Sequence, residues 1–241
     1  MMKKDPYEKL LGRKRKWTPV QTTPGKLKEG AEETIFRALS LRHMELPVGA
    51  FIEEALTKDV PRTARTLLKS NVKDEDNHDL ALGYIANSIG TDPTAESEAI
   101  RLRSAWESHP DHTILKALVA ERAIFFVLLP FFRFCGDAGL RTVSADISRD
   151  EQIHVATNSL VCLDMGLSPS QSLDKLRKAT INWVFQPLGI NTTDKYLDKK
   201  FWLDASDRLM YEGKAPEFSE TQRARMPAFF EHANTNLPSY A

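Results

Sequence analysis

The residues of this chain best suited to chemistry lie in two short segments of one form, Glu75-Asp76-Asn77-His78 and Glu151-Gln152-Ile153-His154. On a helix, positions i and i+3 share a face, so each Glu and its His can turn toward one site. A single Glu-x-x-His arises readily on a charged helix, but here the surroundings repeat as well. Glu45 precedes Glu75 by 30 residues, and Glu121 precedes Glu151 by 30. Antiparallel helices joined by a short loop bring residues level when they are equally far from it. Glu45 stands 14 residues before Asp59 and Glu75 stands 14 after Pro61, while Glu121 and Glu151 straddle a Gly136–Gly139 turn. Each hairpin thus offers one Glu from its first helix and a Glu-x-x-His from its second. That is the ligand set of di-iron and di-manganese carboxylate bundles. Carboxylates bridge two cations and offset their charge, and an imidazole caps each one.

Taken singly, Glu45, Glu75 and Glu121 each read as surface charges. Together with Glu151 and the two histidines they predict two metal ions per chain, iron, manganese or both. Glu121 lies between Ala117-Leu118-Val119-Ala120 and the apolar run from Ala123, where an unpaired carboxylate would be costly. Glu45 has rivals in Glu53 and Glu54, but these stand near the loop rather than level with Glu75.

The elements that must hold these residues read as helices throughout, so the expected class is all-α, a ferritin-like four-helix bundle with additional short helices. One helix is expected over 29–58, kinked at Pro47, and another over 63–88, stopping at Gly90. Further helices are expected over 96–107, 110–134 (with Pro130 inside), 140–164, 168–186, 201–211 and 220–232. Residues 1–25 read as a flexible arm, 26–232 as the di-metal domain and 233–241 as a tail. The basic cluster Arg13–Lys16 reads as a solvated part of the arm rather than a site for an anionic partner.

The 241 residues carry 33 acidic and 33 basic side chains, a balance that argues against a nucleic-acid or membrane-surface binder. Cys135 and Cys162 lie far apart in apolar stretches, which implies buried free thiols and a cytoplasmic setting. No signal peptide is expected, and the longest apolar run, Ala123–Phe132, is about half of what crosses a bilayer.

The stretches Ala120-Glu121-Arg122-Ala123-Ile124-Phe125-Phe126 and Ile147-Ser148-Arg149-Asp150-Glu151-Gln152-Ile153-His154 resemble the small, radical-generating subunit of class I ribonucleotide reductase. Glu45 with Val48, and Glu75 with Asn77-His78, are similar to that family's first two ligand segments, and the likeness spans about residues 40–165. The resemblance implies metal ligation by Glu45, Glu75, His78, Glu121, Glu151 and His154. It implies that Asp150 links a metal-bound His to a radical-carrying Trp, a part that falls to Trp17 in Lys16-Trp17-Thr18-Pro19. Phe125 and Ile147 would line an apolar pocket beside the metals, and Tyr240 would pass the radical on from the tail. It also implies a homodimer and a separate large catalytic subunit that reduces ribonucleotides.

One position departs from the family. The radical tyrosine of many members stands four residues after the first ligand His, where this chain has Leu82; Tyr84 points elsewhere around the helix. The oxidising equivalent would then reside on the metals. A stand-alone di-metal oxygenase or desaturase uses the same ligands and is the alternative. A non-catalytic storage bundle is disfavoured by the apolar residues beside the ligands.

Overall fold

The computed structural model describes residues 5–58, 60–213, 215 and 218. Ten α-helices carry these residues, and the sole strand-like pairing among them is an isolated bridge between Gly189 and Asp198. The chain is all-α, with a ferritin-like bundle at its centre. Four long elements build that bundle: α3 (Glu45–Leu56), α4 (Arg65–Ile89), the pair α6 (Thr113–Ala120) and α7 (Phe126–Cys135), and α8 (Ala138–Asp164). Around them lie α1 (Pro6–Leu11), α2 (Glu32–Ser40), α5 (Pro93–Ser108), α9 (Gln171–Phe185) and α10 (Lys199–Glu212). α3 packs on α4 and α6, and α8 packs on α4, α6 and α7, so the bundle closes around a shared interior.

Local chemistry sets the boundaries. Asp92, Asp137, Ser170 and Asp198 cap α5, α8, α9 and α10 by accepting backbone N–H groups in the first turn. Pro93 opens α5 and Gly90 closes α4 at positive φ. The helix expected over 29–58 is divided in two. α2 stops at Ser40, a 3₁₀ turn covers Leu41–Met44, and α3 starts afresh at Glu45. Pro47 explains the division, because it lacks an N–H and its ring would crowd the carbonyl four residues back. In the first turn of a new helix neither defect matters. The helix expected over 110–134 is interrupted by a π turn at Glu121–Phe125, a break that its residue types do not signal. Pro130 lies inside α7 without ending it. The helix expected over 220–232 and the tail over 233–241 fall outside the described residues.

The segment read as a flexible arm carries order that its composition did not signal. α1 buries Tyr7, whose hydroxyl donates to Asp164 at 2.7 Å. Lys14 and Arg15, expected to be solvated, pair with Asp74 and Asp146 on α4 and α8. Farther along, the Gly25 N–H donates to Asp137, the cap of α8.

One glycine permits a close approach. Gly139 lets Thr22 lie on the start of α8, where a Cβ would meet Oγ1 at 2.8 Å and Ile85 at 3.1 Å. Gly139→Val should therefore displace the segment around Thr22, at a cost of about 1–3 kcal/mol. Trypsin should then cut at Arg13–Lys16 much faster than in the parent, with helical circular dichroism retained. Unchanged cleavage would show that the contact does not hold the segment down.

Candidate dinuclear metal centre

The four bundle elements bring all six sequence-predicted ligands to one place. Glu45 opens α3, Glu75 and His78 stand mid-way along α4, Glu121 opens the π turn, and Glu151 and His154 stand mid-way along α8. None is more than 2% exposed. Their donor atoms form two groups, each within 4.8 Å: Glu45, Glu75, His78 and Glu151, and then Glu75, Glu121 and His154. Glu53 and Glu54, the rivals to Glu45, are exposed.

The distances set two of the carboxylates between the histidines and two beside one histidine each. Glu75 lies between the imidazoles, with Oε2 at 3.5 Å from His78 Nδ1 and Oε1 at 2.9 Å from His154 Nδ1. Glu151 Oε1 stands 3.3 Å from His78 Nδ1 and 3.6 Å from His154 Nδ1. Glu45 reaches only the His78 side, at 3.7 Å, and Glu121 only the His154 side, also at 3.7 Å. The rings of His78 and His154 stack at 5.6 Å.

Residues that fit a cation pair should leave their inner atoms without protein partners, and these do. Glu45 Oε2, both oxygens of Glu75, His78 Nδ1, Glu121 Oε1, both oxygens of Glu151 and His154 Nδ1 are buried without a hydrogen bond. Buried polar atoms are ordinarily satisfied, so eight converging orphans mark a place for positive charge. Protonation points the same way. Burial, and then the neighbouring carboxylates, push Glu45 and Glu121 well above the usual range. Burial opposes charge on His78 and His154 too, yet the carboxylates facing them outweigh it and raise both. The cluster holds protons where metal would replace them.

Outer partners fix each imidazole, and they cross between helices. His78, on α4, turns Nε2 toward Asp150 of α8 at 3.4 Å, and Asp150 accepts the Trp17 indole N–H at 2.6 Å. His154, on α8, turns Nε2 toward Asp74 of α4 at 3.0 Å, and Asp74 pairs with Lys14. Asp74 escaped the sequence reading although a signal existed: Lys73-Asp74-Glu75 repeats the basic-Asp-Glu pattern of Arg149-Asp150-Glu151. Asn158, one turn beyond His154, was also missed; its amide donates to Glu121 Oε2 at 2.6 Å.

No protein-family model matches the sequence, and no curated protein does. Similarity appears in the fold. A solved protein of Bacillus halodurans, provisionally described as a class I ribonucleotide reductase, superposes with a TM-score of 0.59 at 14% identity, covering 94% of this chain and 97% of that one. At that identity the likeness shows the ferritin-like fold.

Of the other sequence-predicted residues, Leu82, Phe125 and Ile147 are buried, each about one turn from one of the six clustered side chains, whereas Tyr84 is partly exposed. Trp17 is partly exposed and stacks on His78 at 6.3 Å. Tyr240 lies outside the described residues. Cys135 and Cys162 are buried free thiols, and among the described residues no helix is long and apolar enough to cross a membrane.

The raised groups give a pH dependence with a definite sign. A native state that binds more protons than the unfolded chain loses stability as pH rises. Glu45 and Glu121 act this way above the ordinary glutamate value, and His78 and His154 above the ordinary histidine value. Burial opposes charge on Glu75 as well, but His154 and His78 hold its carboxyl low, so its contribution is lost only in acid. The metal-free protein should therefore melt at lower temperature at pH 8 than at pH 5.5, and Mn²⁺ should raise the melting point most at pH 8. A flat metal-free profile would contradict the proton-holding cluster. Separately, Asp74→Ala should weaken metal binding about 10–100-fold by freeing the His154 ring. Unchanged affinity in equilibrium dialysis would remove Asp74 from the centre.

Proposed function

We propose that this protein is the small subunit of a ribonucleotide reductase, working with a separate large catalytic subunit to make deoxyribonucleotides. Glu45, Glu75, His78 and Glu151 would hold one cation, and Glu75, Glu121, Glu151 and His154 the other, with iron and manganese both suited to the donor set. Once oxidised, such a metal pair supplies a one-electron oxidising equivalent. The observation that carries the reading is the chain Trp17 Nε1–H···Asp150 Oδ2···Nε2 His78, at 2.6 and 3.4 Å.

That chain lets an electron and a proton leave the indole together. When the ring gives up one electron, its N–H proton passes to Asp150 Oδ2, so no net charge is stranded on the buried carboxylate. Burial works against charge on Asp150, but His78 and the Trp17 N–H together hold its carboxyl below the ordinary range, ready to accept. Arg15 stands 5.9 Å over the Trp17 ring and 4.0 Å from Asp150, closing one side of the pair. Leu82, buried where many family members place a tyrosine, favours storage of the oxidising equivalent at the metals. Phe125 and Ile147 would keep water from that store. The partner would receive the radical by way of Trp17 and a tail containing Tyr240, from a cytoplasmic homodimer.

The alternative is a stand-alone di-metal oxygenase or desaturase. It draws support from the absence of a tyrosine at Leu82 and from the presence of an acid, Asp74 and Asp150, behind both imidazoles.

Trp17→Phe keeps the ring but loses the N–H, and Asp150→Asn keeps the shape but loses the base. Both variants should bind two metal ions per chain and lose ribonucleotide reduction with the large subunit. Electron paramagnetic resonance of the activated parent should show no tyrosyl radical. Near-normal turnover in either variant would move the path to Trp106, Trp183 or Trp202. No turnover by the parent with any large subunit, together with oxidation of an added hydrocarbon, would favour the oxygenase.

A further inference from the structure

The π turn that carries Glu121 is held from outside the four-helix bundle. A π turn lengthens the backbone ladder by one residue, which disturbs carbonyl pairing where it rejoins an α-helix. Two contacts from α10 meet it there. The Ser206 hydroxyl donates to the Ala123 carbonyl at 2.6 Å, and the Arg122 Nε–H donates to the Leu209 carbonyl at 2.7 Å. Arg122 and Ala123 are the two residues directly after Glu121.

The direction of the Ser206 bond is forced. A hydroxyl has one proton to give, and a guanidinium can only donate. Arg177 of α9 donates to Ser206 Oγ at 2.6 Å, so the hydroxyl must accept there and direct its own proton to Ala123. Arg177 is itself fixed, 1% exposed and paired with Asp174 and Asp207 at 2.7 Å each. The series Asp174 and Asp207, Arg177, Ser206, Ala123 is therefore a one-way brace from α9 and α10 onto the π turn. Beside it lies a cavity of about 260 Å³, lined by Arg122, Phe126, Val155, Ser159, Leu209 and Gly213. This space lies on the α10 side, against the Arg122–Leu209 contact.

We propose that Ser206 and Arg122 are positioning residues that hold the π register and so aim Glu121 at the cation position it shares with Glu75 and His154. Relaxation of the π turn to α would slip α6 against α7 by one residue, about 100° around the helix. Such a rotation carries the Glu121 carboxylate away from His154 and from the Asn158 amide. Glu45 and His78 sit on α3 and α4, which the brace does not touch, so the other cation position keeps its terminal ligands. The inference rests on the metal-centre reading of the six ligands.

The test is Mn²⁺ binding to the full chain after chelation, followed by equilibrium dialysis and electron paramagnetic resonance. The parent should bind two ions per chain as a spin-coupled pair. Ser206→Ala should keep the first ion at parental affinity, weaken the second about tenfold or more, and replace the coupled spectrum with that of isolated Mn²⁺. Ser206→Thr, which retains the hydroxyl, should restore the pair. Ser206→Ala also deprives buried Arg177 of a partner and could unfold for that reason. Arg122→Met leaves the Arg177–Ser206 contact alone and should weaken the same second ion. A parental coupled pair in Arg122→Met, or equal weakening of both ions in a folded variant, overturns the brace. A parent that binds no ion pair overturns the metal centre, and the brace with it.

Discussion

Four glutamates and two histidines buried against one another set the terms for the rest of this structure. Four carboxylates without water repel each other and lose their hydration, and such a cluster survives only with compensating positive charge. Without metal the charge comes from protons, seen in the upward shifts of Glu45, Glu121, His78 and His154. The bundle supplies little other relief, since eight of the inner atoms have no hydrogen-bond partner. The long helices and the caps that bound the hairpins serve to keep those six side chains level.

That dependence explains which features could be read in advance. The convergence of the six side chains was legible because helical period and hairpin symmetry are local arithmetic: 3.6 residues per turn, and equal distances from a loop. Pro47 and the glycines near the turns were legible as punctuation, although the restart at Glu45 needed the clash behind Pro47 to be placed to the residue. The π turn was not legible. Ala120-Glu121-Arg122-Ala123 has good helix-forming composition, and the contacts that meet the turn come from Ser206 and Leu209, more than 80 residues away. The order in residues 5–25 was hidden for a similar reason. A basic, proline-punctuated segment looks solvated until its partners, Asp74, Asp146, Asp150 and Asp164, are seen on two other helices.

Asp74 shows a different kind of omission. Its place in a repeated basic-Asp-Glu-x-x-His pattern is plain in the sequence, but pairing within a motif is the natural assumption. The structure pairs across motifs instead: the acid of α4 serves the histidine of α8, and the acid of α8 serves that of α4. Asp74 and Asp150 each stand four residues before the histidine of their own helix, on nearly the same face, yet each reaches the histidine of the other helix. Each helix thus places an acid behind the other's imidazole, and neither candidate group of donors comes from one hairpin alone.

Within that near-symmetry the two sides differ in one respect that bears on function. Behind His154 the acid ends on the Lys14 ammonium, a group that fixes charge and has no accessible oxidation. Behind His78 the acid ends on the Trp17 indole, a neutral donor whose ring can lose an electron as its N–H proton moves to Asp150. Lys14 and Trp17 come from the same short segment, three residues apart, so one stretch of chain closes one side and opens the other. On the reductase reading this makes electron flow directional: an oxidising equivalent at the centre can be filled through Trp17 but not through Lys14. Trp17 is also partly exposed, which on the same reading would put the outer end of such a path within reach of a second protein.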